Sequence, residues 1–247
     1  MDLARVALLS AVVGIVGTGT GGVIVALRGN PSKRTLSLFL GISAGVMISM
    51  VAFDLMPGAF EMAGTWISLG AFLAGALALT ALDLVMPHMH HMTTDKESSR
   101  FTRTALVVAV GIGMHDLPEG LAVGAGLESA SSLGLRIAIL MFLHNIPEGM
   151  AVAAPLAAIG KSRSNMMLVS ALTGVPSVIG ALLGSVIGVS PMILGISMAF
   201  AAGAMLFVTF DELVPGACEM PNVGHAGTLG AVAGVIASIA ISRLLTP

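Results

Sequence analysis

Two segments near the middle of the chain repeat one polar pattern inside apolar sequence: Met114-His-Asp-Leu-Pro-Glu-Gly-Leu-Ala-Val123 and Leu143-His-Asn-Ile-Pro-Glu-Gly-Met-Ala-Val152. At the offset that takes His115 to His144 they also share Pro118/Pro147, Glu119/Glu148 and Gly120/Gly149. Each copy sets a histidine and a glutamate four residues apart, one helical turn, so both side chains leave the same face. Each sets a proline between them, which cannot donate to the carbonyl four residues back, that of Met114 or Leu143. Imidazole, carboxylate and a freed backbone oxygen thus stand at one level of a kinked helix. This is a metal-ligand set, supplied twice.

The surroundings make that set expensive. The chain is 56% hydrophobic and 10% charged, with 31 glycines among 247 residues and a mean hydropathy of +0.99. A soluble domain carries about 25% charged residues, so this composition is that of an all-α integral membrane protein. An ionisable group at the bilayer centre costs roughly 2.5 kcal/mol or more, which marks such groups as functional. A hydrogen-bonded network that merely ties two helices is the weaker reading, because hydroxyls or amides do that job at lower cost. The net charge of -2, with no basic stripe, argues against nucleic acid as a partner. A single cysteine, Cys218, excludes an intramolecular disulfide and a thiolate zinc cluster.

Apolar runs of about 20 residues span a bilayer. Eight are expected, over roughly 3–27, 36–60, 66–87, 103–127, 132–158, 164–188, 191–217 and 226–245, as one transmembrane domain over 1–247. The first run is too long and too glycine-rich to read as a signal peptide. Assigning the loops alternately to two sides gathers Arg28, Lys33, Arg34, Lys96, Arg100, Arg103, Lys161 and Arg163 on one side. Only Arg5, Arg136 and Arg243 fall on the other. The positive-inside rule then sets both termini outside a cell (inner) membrane. The polar stretch 88–102 reads as a cytoplasmic loop, and its His88, His90 and His91 are either weak collectors of zinc or copper or incidental.

Internal repeats extend the pattern. Aligning Pro57 with Pro215 pairs 44–62 with 202–220 without a gap, through Ala44/Ala202, Gly45/Gly203, Met47/Met205, Leu55/Leu213, Gly58/Gly216 and Glu61/Glu219, with Asp54 opposite Glu212. Helices 1 and 6 match more weakly, through Ser10/Ser170, Ala11/Ala171 and Gly14/Gly174. Three helices, two central ones and three more make a 3+2+3 plan in which the second triple runs inverted. Inverted repeats with interrupted helices and a midplane site are a transporter signature.

With the doubled His-(Asp/Asn)-x-Pro-Glu-Gly motif on adjacent spans, the chain resembles the ZIP (Zrt-, Irt-like protein) family of divalent-metal transporters, its prokaryotic branch most closely. The resemblance implies that His115 and Glu119 of helix 4 bind metal, with Asp116 joining an adjacent metal. It implies matching roles for His144, Asn145 and Glu148 of helix 5. Asp54 and Glu212, three residues before the prolines of helices 2 and 7, would line the path of the ion. The chain departs from the family at Val175, before Pro176, where many prokaryotic members carry a glutamate that completes a two-metal centre. One principal metal is therefore expected.

Imidazole and carboxylate without thiolate suit Zn²⁺, Fe²⁺, Mn²⁺, Co²⁺ and Cd²⁺. Zinc is the first choice on coordination grounds and from the resemblance. Protons compete with the metal at these ligands. Asp83, near the cytoplasmic end of helix 3, suits a snorkelling or dimer-contact role. The lipid bilayer, divalent ions and a second copy of the chain (a homodimer) are thus the expected partners. The rival function is an intramembrane metal-dependent hydrolase. Against it stand the missing His-Glu-x-x-His and a glutamate that follows a helix-breaking proline.

Overall fold

Polar residues at the edges of the apolar runs start the helices. Side chains of Asp2, Ser32, Ser162 and Ser190 accept from the backbone N–H of Ala4, Thr35, Asn165 and Ile193, taking up donors that a helix start leaves free. Glycines with positive φ follow the helices that end at Ala63 and Ala158, Gly64 (77°) and Gly160 (70°), a conformation costly for any residue with a Cβ.

The computed structural model describes residues 2–29, 32–85, 96–128, 132–187 and 190–245. No strand occurs among them. The helices string into rods α1 (Leu3–Leu27), α2 (Lys33–Ala63), α6 (Arg163–Val186), α7 (Pro191–Cys218) and α8 (Ala226–Leu244), all long and apolar enough to cross a membrane. Between them run α3 (Thr65–Val85), α4 (Lys96–Glu128) and α5 (Ser132–Ala158). The start of α4 at Lys96 lies within the stretch expected to be loop; Lys, Glu and Arg are good helix formers, so the helix runs on past its apolar part. His88, His90, His91 and the side chain of Asp83 lie outside the described residues.

Large apolar side chains cover the outside, among them Trp66 (85% exposed) and Leu244 (84%). Such a surface suits hydrocarbon rather than water. Inside, α2 packs along α8 and α7 along α3, while α4 packs along α6 and α5 along α1. Further contacts join α4 to α7 and α5 to α2. Exchanging α1 with α6, α2 with α7, α3 with α8 and α4 with α5 turns each of these pairs into another member of the set.

The same exchange relates the irregularities. Residues Val51–Leu55 of α2 and Thr209–Leu213 of α7 are π-helical, each just before a proline, Pro57 or Pro215. A proline lacks the N–H that an α-turn needs, and a wider turn accommodates the loss. In α1 the segment Val12–Val16 is π-helical, and α6 breaks at Gly174. A Cβ on Gly14 would stand 2.5 Å from the Gly174 carbonyl oxygen. The two glycines matched in the sequence repeat therefore touch each other.

Candidate metal centre

Helices α4 and α5 keep their helical course through Pro118 and Pro147. The motif glycines explain how tightly these helices seat. A Cβ on Gly120 would strike the backbone of Ser177 in α6, and one on Gly149 the backbone of Thr18 in α1. Each motif thus lies pressed between its partner and a neighbouring helix, with its ligand face toward the crossing of α4 and α5. Ser43 Oγ on α2 adds a tie, donating to the Pro147 carbonyl at 2.6 Å.

At that crossing His115, Glu119, His144 and Glu148 come together, all buried (1%, 3%, 3% and 0% exposed). One donor atom from each lies within 4.8 Å of all the others. His115 Nδ1 is 3.0 Å from the Gly111 carbonyl, an acceptor, so the ring donates there and turns Nε2 inward. Glu148 Oε1 stands 2.6 Å from His115 Nε2 and 2.9 Å from His144 Nε2, while Glu119 Oε1 is 4.0 Å from His144 Nε2. The 2.6 Å approach of His115 to Glu148 is that of a short hydrogen bond, with a proton between nitrogen and oxygen. Zinc bonds of about 2.0–2.2 Å in a tetrahedron hold donors roughly 3.4 Å apart. The observed separations bracket that value, so small side-chain rotations suffice to surround an ion.

The protein leaves much of this donor set without hydrogen-bond partners. Glu119 Oε1, Glu148 Oε2, His144 Nδ1 and Asn145 Oδ1 are buried and unpartnered among the described residues. Each such group costs about 1–3 kcal/mol, an arrangement that a bound cation offsets. Asp116 (0% exposed) lies at the edge of the cluster, its Oδ1 3.5 Å from His115 Nε2. Asn145 (1% exposed) also lies at the edge, around one tightly packed spot with Glu119, Ser10 and Ser177.

Asp54 and Glu212 do not join the four ligands. Glu212, buried in the π segment of α7, accepts from Thr104 Oγ1 of α4 at 2.6 Å. Asp54, half-buried in the π segment of α2, accepts from Ser242 Oγ of α8 at 3.0 Å. It lines a cavity of about 510 Å³ with Ser49, Phe53 and Arg243. Thr104, Ser43 and Ser242 escape a reading of the sequence because single hydroxyls in apolar helices carry no spacing signal.

Comparison with known proteins shows the family. The family model described as ZIP Zinc transporter matches residues 88–241. The chain is 34% identical over 266 residues to the zinc transporter ZupT of Corynebacterium aurimucosum, covering 99% of both chains. It is 36% identical over 262 residues to the protein of that name from Chlorobium luteolum (98% of both). With the one from Escherichia fergusonii it shares 33% over 218 residues, 83% of this chain and 84% of the relative. The family match and the similarity along nearly the whole length make this chain a member of the ZIP family.

Proposed function

We propose that the protein takes zinc up into the cytoplasm, binding it at His115, Glu119, His144 and Glu148. The observation that carries this reading is the buried convergence of the four donor atoms within 4.8 Å. Membership of a transporter family makes the protein a carrier of divalent metal and not an enzyme, and leaves the hydrolase alternative without support. Fe²⁺, Mn²⁺, Co²⁺ and Cd²⁺ are further candidate ions for the same donors.

In this reading all eight rods cross a cell membrane, with both termini outside and the arginine- and lysine-rich loops in the cytoplasm. The triples α1–α3 and α6–α8 are inverted repeats. The symmetric packing pairs, the paired π segments and the Gly14–Gly174 contact support it. Helices α1, α4, α5 and α6 carry the ion past a frame of α2, α3, α7 and α8. Asp54 then lies in the outer half of its helix and Glu212 in the inner half, before and after the centre. Asp116 and Asn145 border a second position that Val175 leaves short of a carboxylate, so one metal is principal. A homodimer is the expected assembly.

Uptake of radioactive zinc into proteoliposomes tests the function. Saturable uptake that fails when Glu148 is replaced is the expected result. Unsaturable flux would point to a channel, and binding without any flux would refute transport.

A further inference from the structure

The π segment of α1 and the side chain of Asn145 meet at one atom. At the end of Val12–Val16 the backbone N–H of Gly17 bonds to the carbonyls of Val12 and Gly14. It skips the carbonyl four residues back, that of Val13, which an α-helix would use. That carbonyl instead accepts from Asn145 Nδ2 of α5 at 2.8 Å. A carbonyl can only accept, so the amide's NH₂ must face it, and Oδ1 is turned the other way. Oδ1 is buried and unpartnered, and Asn145 and Glu119 stand around the same tightly packed spot. Gly17 makes the approach possible, since a Cβ there would stand 2.8 Å from Asn145 Cβ.

We propose that the π-bulge of α1 is a positioning device for the metal centre: its released Val13 carbonyl holds the Asn145 amide so that a neutral oxygen donor faces the ion. The inference rests on the reading of this crossing as the zinc site, and adds Asn145 Oδ1 at its edge as a neutral donor beyond the four that hold the principal ion. The logic is that of an outer partner that aims a ligand, whose loss typically weakens metal affinity about 10- to 100-fold. Because α1 packs on α5, the device travels with the site it aims.

Zinc dissociation constants measured by calorimetry in detergent, with KM and Vmax in proteoliposomes, test it on four proteins: wild type, Gly17→Ala, Asn145→Leu and the double variant. Each single change is expected to weaken zinc binding and raise KM about tenfold, with Vmax within about twofold. The double variant should be no worse than Asn145→Leu, because both act through one amide. Multiplying effects in the double variant, or a Gly17→Ala protein with lowered Vmax and unchanged zinc affinity, would overturn the proposal. Should Gly17→Ala fail to fold, deletion of Ile15 closes the bulge into α-helix, and the same comparison applies. A wild type that binds no zinc would sink the site assignment itself, a result distinct from any difference among the variants.

Discussion

Glu119 and Glu148 belong to one pair of proline-bearing helices, and Asp54 and Glu212 to another. The first two lie one residue after a proline on helices that continue as α-helix, and both point into the crossing with unpartnered oxygens. The second two lie three residues before a proline, within a π turn, and accept from hydroxyls on different helices, Ser242 and Thr104. Carboxylates of one chemical type thus stand in different surroundings according to which helix each one faces. Where α4 meets α5, the crossing brings the donor atoms of both motif copies to one point. Asp54 and Glu212 stand on helices that also pack against each other, yet each carboxylate makes its own local contact with a third helix. The surroundings of these two differ as well: Glu212 is buried and tied to α4, while Asp54 borders a cavity of about 510 Å³.

Substitutions can break this contrast, beginning with its strongest element. Glu148 Oε1 approaches both histidines, so Glu148→Ala is expected to lower initial zinc uptake at least about a hundredfold at matched expression, and Glu119→Ala similarly. Uptake that stays above about a tenth of wild type would remove these residues from the site. Next comes the seating of the motif. Gly149→Ala drives a methyl into the Thr18 backbone, and overpacking of this kind destabilises by about 1–3 kcal/mol. Its melting temperature in detergent should fall, whereas Gly70→Ala, where the space is open, should melt as wild type does.

The edge of the site should respond more weakly. Asp116→Ala is expected to lower uptake only a few-fold, because Val175 already deprives the second position of a carboxylate. An Asp116→Ala protein as inactive as Glu119→Ala would reinstate a two-metal centre. The smallest effect belongs to the cavity. Asp54→Asn should raise the zinc KM roughly two- to fivefold at low ionic strength, and the difference should shrink as salt screens the charge. An unchanged KM at low salt would reduce Asp54 to a tie between α2 and α8.

Much of this molecule is legible without coordinates. Apolar runs divided by Ser, Gly and Pro specify helices, because in hydrocarbon a chain must satisfy its backbone internally. The His/Glu spacing of the two motifs specifies a shared helical face, and the cost of burying such groups marks that face as a candidate cation site. The π turns before Pro57 and Pro215 follow from a missing N–H, a property of the residue itself. What only the tertiary structure decided is which faces meet. No spacing rule tells that Glu148 stands between both histidines, that Glu212 pairs with Thr104 of α4, or that Asp54 turns to Ser242 of α8. Nor does one tell that the carbonyl skipped in α1 takes up the Asn145 amide. Local sequence determines periodicity and backbone defects because those depend on neighbours within a few residues. The partners of a buried polar group depend on how glycine-lined helices pack against one another, and that is settled over the whole bundle.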